Sequence, residues 1–267
     1  IGGHTIQTST IASLVKEGIF ISFCESDGAP VGYISPYDYS LFKENQHLQK
    51  IAAPYSYALA FARESVKSRI LAVERYAEEI GADILFSGEL SILSGYAKEL
   101  ENMVLIEELR RVERLVRNMY YEILGRLVSP SYQFKRRTSR PYTDPVNAIL
   151  SFGYGMLSSS CMRAVIGDHL DPGYGYLNRG KQALVQDLIN CWKPGMIDSI
   201  AIAFTRSGKL RPCGYELTND RCILQDEIIE ELIHLFTGSI NQELIDLQVQ
   251  VLTGSLRGEA QFSIIKP

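Results

Sequence analysis

With 267 residues, 46% of them hydrophobic, the chain can bury a full core, and the expectation is two domains of unequal size. A net charge of −4 rules out a surface coated in positive charge, so contact with nucleic acid has to come from a local basic patch. The five cysteines, Cys24, Cys161, Cys191, Cys213 and Cys222, are scattered without a CxxC pair. They indicate neither a disulfide framework nor a zinc knuckle and fit a reducing cytoplasm. No apolar run reaches the roughly 18 to 20 residues of a membrane span, and no signal segment opens the chain.

The first segment has β character. Thr8-Ser9-Thr10 caps a short helix from Ile11 to Glu17 that Gly18 ends. Ile19 to Phe23 is a buried strand candidate, and Asp27-Gly28 turns the chain into a second strand from Val31 to Ile34. So few strands do not make a stable sheet. Strands upstream of Ile1 or a partner are expected to complete it. The composition from Ser35 to about Glu44 is polar, with Pro36 inside, and reads as a linker.

Beyond it nearly everything is helical. Helices are expected over Ser56 to Ile80, Leu85 to Glu101 and Met103 to Val128. The last of these carries Glu107, Glu108, Arg110, Arg111, Glu113, Arg114 and Arg117 with opposite signs three or four apart, the pattern of a solvated face. A basic loop follows, Tyr132 to Tyr142, in which Lys135, Arg136, Arg137 and Arg140 alternate with aromatics, a composition suited to phosphate contact and base stacking. Asp144-Pro145 opens another long helix, in which Gly153 and Gly155 are expected to let another backbone approach closely. Asp171-Pro172-Gly173 turns the chain into a helix over Ala183 to Ile189 that Trp192-Lys193-Pro194 breaks. Ile197 to Phe204 reads as a buried helix, Thr205 to Asn219 as a loop with a short hairpin at Ser207-Gly208, and Phe262 to Pro267 as a tail after two final helices, Asp226 to Phe236 and Ser239 to Leu252. The fold class is therefore α+β. A small N-terminal β domain lacking its first strands (1–35) and a linker (36–47) precede a larger all-helical domain (48–267).

The order of motifs resembles the CRISPR-associated spacer-acquisition integrase and endonuclease family, the universal adaptation nuclease. That family's central helix starts DPVNA, as in Asp144 to Ala148, and continues with a Gly-Tyr, Leu-Leu pattern echoed by Gly153-Tyr154-Gly155-Met156-Leu157. Its LDP turn corresponds to Leu170-Asp171-Pro172, leading to Gly175-Tyr176-Leu177-Asn178. A motif of the type SLxxDLxE, aromatic, basic, Pro is matched by Ala183 to Asn190 with Trp192-Lys193-Pro194. The segment IGGHTI and the helix around Glu113, VERLVRNMYY, extend the likeness over nearly the whole chain.

The resemblance implies a homodimer joined through its β domains. It also implies a small ferredoxin-like partner subunit and double-stranded DNA as substrate. The implied chemistry is phosphodiester transesterification with Mg²⁺ or Mn²⁺, which stabilises charge on the phosphate oxygens. It places the catalytic site at Glu113, Asn178, Asp187 and Asn190, with Glu113, Asn178 and Asn190 at the metal-ligand positions. DNA contacts fall on Lys135, Arg136, Arg137, Arg140 and Lys181. At Asn178 the family has a His and at Asn190 an acid, so one ligating carboxylate remains and weak or absent metal binding is expected. His169 could substitute but reads as a helix-end residue; His4 and His47 lie too far away, and His234 reads as structural. The resemblance thus allows an active integrase and endonuclease, or an impaired or inactive member serving as a DNA-binding architectural subunit. A helical assembly protein with no role on DNA is the third possibility.

Overall fold

The computed structural model describes residues 5–19, 21–24, 30–36, 39–138, 141–218 and 221–265. The N-terminal segment contributes α1 (Thr8–Lys16) and an antiparallel pair, β1 (Ile21–Cys24) and β2 (Pro30–Ile34). Ile21 faces Ile34 and Phe23 faces Gly32, with a slip in register between Phe23 and Cys24. The Asp27-Gly28 turn lies outside the described residues. Thr8-Ser9-Thr10 forms the first turn of α1 rather than its cap, and no residue of α1 is buried. Ile19, Phe23 and Val31 are exposed, as expected when two strands have too little to pack against.

The segment expected to be a linker is largely helical, because α2 runs Tyr39–Ile51. Its Asn45 and Gln49 are buried and anchor it to the end of the long central helix. Asn45 Nδ2 donates to the Asp168 carbonyl (2.9 Å), and Gln49 Nε2 donates to the carbonyls of Asp171 (3.0 Å) and Tyr174 (2.7 Å). These two polar side chains serve buried hydrogen bonds to a turn.

The core is built from α3 (Pro54–Ile80), α4 (Glu89–Glu99), α5 (Ile106–Leu127) and α6 (Pro145–Gly167). Along α3, Phe61, Val66 and Val73 form a buried stripe that packs beside α5, which presents Leu109, Val116 and Ile123. Helix α6 is apolar on nearly every side and is the central element. By length and composition it is the one described helix that could span a bilayer, but here it is a buried core helix. A Cβ on Gly153 would lie 2.5 Å from Ile197 Cγ2 and 2.9 Å from Phe236 Cζ, so the approach it permits is by side chains.

The Trp192-Lys193-Pro194 run does not break its helix. From α7 (Ala183–Trp192) the chain widens into a π turn, Lys193–Asp198, and continues as α8 (Ser199–Arg206). The wider turn relieves the clash that a Pro ring makes with the preceding turn of an α-helix. The C-terminal part is not all-helical either. A small hairpin, β3 (Tyr215–Leu217) paired with β4 (Cys222–Leu224), precedes α9 (Asp226–Ser239) and α10 (Gln242–Leu256). Ser207 caps the end of α8 and Gly208, with φ of 75°, follows it, so the hairpin forms later than Ser207-Gly208. The tail is docked. Phe262 packs at a tilt against Tyr57 (ring centres 5.1 Å apart) and Phe61 (5.2 Å), and Ile265 N donates to Gln248 Oε1 at 2.6 Å.

Candidate functional site

Glu113 departs from the surface pattern of α5. Heptad-like burial of Leu109, Val112, Val116 and Tyr120 turns this one carboxylate inward, and it is buried between α5 and α3. Arg69 Nη2 lies 3.3 Å from its Oε1 and Arg117 Nη1 lies 3.2 Å from its Oε2. Ser65 Oγ donates to Oε1 at 3.2 Å. Arg110, by contrast, pairs with Glu107 at 2.6 Å and donates from Nε to the Leu177 carbonyl. That bond ties the Glu113 turn of α5 to the loop carrying Asn178.

Helix α7 and its π turn supply the opposite wall. Asn190 is buried and its Oδ1 accepts a hydrogen bond from Lys193 Nζ at 2.7 Å. Lys193 Nζ also sits 4.7 Å from the centre of the Tyr154 ring. Asp198, at the end of the π turn, accepts hydrogen bonds from Tyr120 (2.9 Å) and Tyr154, while Tyr154 and Tyr121 share a 2.7 Å contact. Burial, and then the neighbouring Arg69, push the Lys193 ammonium down to about 7. Burial holds the Asp198 carboxyl up at about 6, against the pull of Tyr154, Tyr120, Arg69 and Lys193.

Asp187 and Asn178 form a separate unit. Asp187 Oδ2 accepts from the backbone N–H groups of Tyr176 (2.6 Å) and Leu177 (3.1 Å). Its Oδ1 accepts from the backbone (2.7 Å) and side-chain (2.8 Å) nitrogens of Asn178. The carboxylate thereby closes the 176–178 loop onto α7, and burial raises it to about 6. Gly175 permits the closure, since a Cβ there would lie 2.6 Å from the Ala183 carbonyl carbon.

These residues do not fit a divalent ion. Mg²⁺ and Mn²⁺ need hard oxygen donors carrying net negative charge. Glu113 is flanked by two guanidiniums, Asn190 Oδ1 holds an ammonium, and both oxygens of Asp187 are engaged by N–H donors. No group of three or more His, Cys, Asp or Glu comes together among the described residues. His169, with φ of 60°, ends α6. His47 and His234 are exposed. His4 lies outside the described residues.

The basic loop divides in two. The DPVNA segment clamps it: Asn147 Nδ2 donates to Asp144 Oδ2 (2.7 Å) and to the Arg136 carbonyl (3.0 Å), and its Oδ1 accepts from Thr138 N (3.1 Å). Arg137 is an internal strut, donating to Asn147 Oδ1 and Ser151 Oγ, both at 2.6 Å, beneath the rings of Tyr142 and Tyr154. Tyr132 and Phe134 are buried, and Tyr132 OH donates to the Leu210 carbonyl at 2.9 Å, so these aromatics pack inward instead of facing bases. Lys135, Arg136 and Lys181 are exposed. Arg136 and Arg137 line a cleft of about 390 Å³ with Asn118, Tyr121, Glu122 and Thr138. Arg140 lies outside the described residues.

Sequence reasoning missed Ser65, Arg69, Asp198 and the three tyrosines. The one signal for them was a lone Asp at the edge of the apolar Ile197 to Phe204 run.

The model of the CRISPR associated protein Cas1 family matches residues 1–237. The chain belongs to the Cas1 family. A Cas1 relative from Methanospirillum hungatei, named as a putative CRISPR-associated endonuclease Cas1 2, is 80% identical over 267 residues, covering 100% of this chain and 88% of that protein. The Cas1 fold also matches solved structures. A casposase bound to integration product aligns with a TM-score of 0.84 at 19% identity, covering 98% of this chain and 79% of that one. A chain of a Cas6-RT-Cas1–Cas2 complex aligns with a TM-score of 0.82 at 16% identity, covering 99% of this Cas1 chain and 31% of that one.

Proposed function

We propose that this chain is a DNA-binding architectural subunit of CRISPR spacer acquisition that keeps the Cas1 scaffold without its metal-dependent strand transfer. It binds double-stranded DNA through Lys135, Arg136 and Lys181. It works as a homodimer joined through the segment before α2, beside a small ferredoxin-like partner subunit. The partner assignment draws on a structural neighbour that is a Cas6-RT-Cas1–Cas2 complex, and the DNA assignment on the casposase bound to integration product. The observation that carries the reading is the cationic occupation of the ligand positions: guanidiniums on Glu113 and an ammonium on Asn190.

The competing reading, an active integrase and endonuclease, is favoured by the name of the Methanospirillum relative. Incubating the protein with branched and linear duplexes in Mg²⁺ and then Mn²⁺ separates the two. Glu113→Gln is the control, because Glu113→Ala would strand the buried Arg69 at a cost of roughly 3–5 kcal/mol and unsettle the fold. The expected result is DNA binding with no cleaved or joined product. Product that vanishes in the Glu113→Gln protein would establish the catalytic reading.

A further inference from the structure

The cleft beside the basic loop has a lining that phosphate contact does not explain. One wall is Asn118, Tyr121 and Glu122 of α5, and the other is Arg136, Arg137 and Thr138. Asn118 and Glu122 stand four residues apart, so both project from one face of the helix. Both are exposed, and neither makes a side-chain hydrogen bond or ion pair among the described residues, although two arginines line the same cleft. The facing wall is fixed. Asn147 holds the Arg136 carbonyl (3.0 Å) and the Thr138 N–H (3.1 Å), and Arg137 spends Nη1 and Nη2 on Asn147 and Ser151. The Arg136 guanidinium is exposed and has no ion pair among the described residues, and Thr138 Oγ1 is buried without a hydrogen-bond partner. At about 390 Å³ the cleft has the size of a small-molecule site.

A run of phosphates needs cations alone, and a carboxylate among them repels it. Glu122 across from Arg136 suits a ligand with N–H donors on one side and acceptors on another, which is the pattern of a nucleobase edge. Of the four DNA bases, guanine alone sets two adjoining N–H donors, at N1 and N2, beside two acceptors, O6 and N7. A carboxylate has two oxygens and accepts both donors at once. In a duplex the same donors are taken by cytosine, so the base has to be unpaired. We infer that the cleft between α5 and the 136–138 loop seats one unpaired guanine of bound DNA, with Glu122 accepting from N1–H and N2–H and with Asn118 and Arg136 supplying donors to O6 and N7. The Tyr121 hydroxyl meets that of Tyr154 at 2.7 Å, and Lys193 lies over the Tyr154 ring, so the cleft adjoins the site around Asn190. The DNA part of the inference rests on the DNA-binding reading above, whereas the choice of guanine rests on the lining.

Fluorescence anisotropy in EDTA tests it. Partial duplexes with oligothymidine overhangs, 3′ in one set and 5′ in the other, carry one guanine, adenine, cytosine or inosine at successive positions. At one position guanine is expected to bind roughly tenfold more tightly than adenine, cytosine or thymine. Inosine, which lacks the N2 amine, is expected to lose most of that gain. Glu122→Gln puts an N–H donor against a donor of the base and is expected to bring guanine down to the level of the other bases, while melting as the native protein does because Glu122 is exposed. No position that prefers guanine, or a preference that survives in Glu122→Gln, overturns the inference. A protein that binds no overhang of any sequence refutes the DNA-binding reading instead, and dGMP then decides the guanine site. A saturation-transfer NMR signal from dGMP that is lost in Glu122→Gln upholds the site, and a signal no stronger than that of dAMP overturns it.

Discussion

Asp198 shows how one residue's environment can set a property of the whole protein. Its carboxyl is fully buried against the Tyr120 and Tyr154 hydroxyls, and burial holds it at about 6 against an ordinary 3.8. Between those two values the folded state keeps a proton that the unfolded state has released. This contribution to stability is therefore complete below about pH 4 and lost as pH rises through about 6. Thermal melting between pH 4 and 7 is expected to show it: Asp198→Asn should flatten the decline and gain on the native protein towards neutral pH. A residual slope of the same sign belongs to Asp187, also held at about 6. Neither shift was legible in the sequence, because the cause is desolvation by residues far away along the chain. Glu113 makes the same point. Its i+4 partner Arg117 was visible in the helix pattern, but Arg69, which turns it into a buried pair, comes from α3.

At the scale of elements, the basic loop combines two tasks that its composition presented as one. Lys135 and Arg136 face solvent, whereas Arg137 bonds Asn147 and Ser151 on α6. Lys135→Ala and Arg136→Ala are each expected to reduce the slope of log affinity for duplex DNA against log salt by about 1, with melting unchanged. Arg137→Ala is expected to lower the melting temperature instead, since it leaves Asn147 Oδ1 short of a donor. A lower salt slope with intact melting in Arg137→Ala would return that residue to the DNA surface. The same lesson applies to the π turn. A Pro in a helical pattern normally marks an end, yet Trp192, buried beside it, and the packing of α8 keep the rod continuous. That continuity is what brings Asn190, Lys193 and Asp198 together.

For the whole molecule, the N-terminal segment is the part that does not close on itself. Its two strands and α1 leave Ile6, Ile19, Phe23 and Val31 exposed, with Val31 at 64%. A second copy covering this face fits the proposed dimer. Val31→Lys is expected to shift sedimentation from dimer to monomer while the helical core melts as before; a monomeric native protein would refute the dimer. The sequence by itself determined the helical periodicity, the Asp144-Pro145 helix start and the order of motifs, because all of these rest on spacing along the chain. Only the tertiary structure decided that Glu113 is held by Arg69, that Asp187 closes a loop, and that an ammonium sits on Asn190. Those outcomes depend on which side chains from distant segments are buried together, and on burial making each uncompensated charge find a partner.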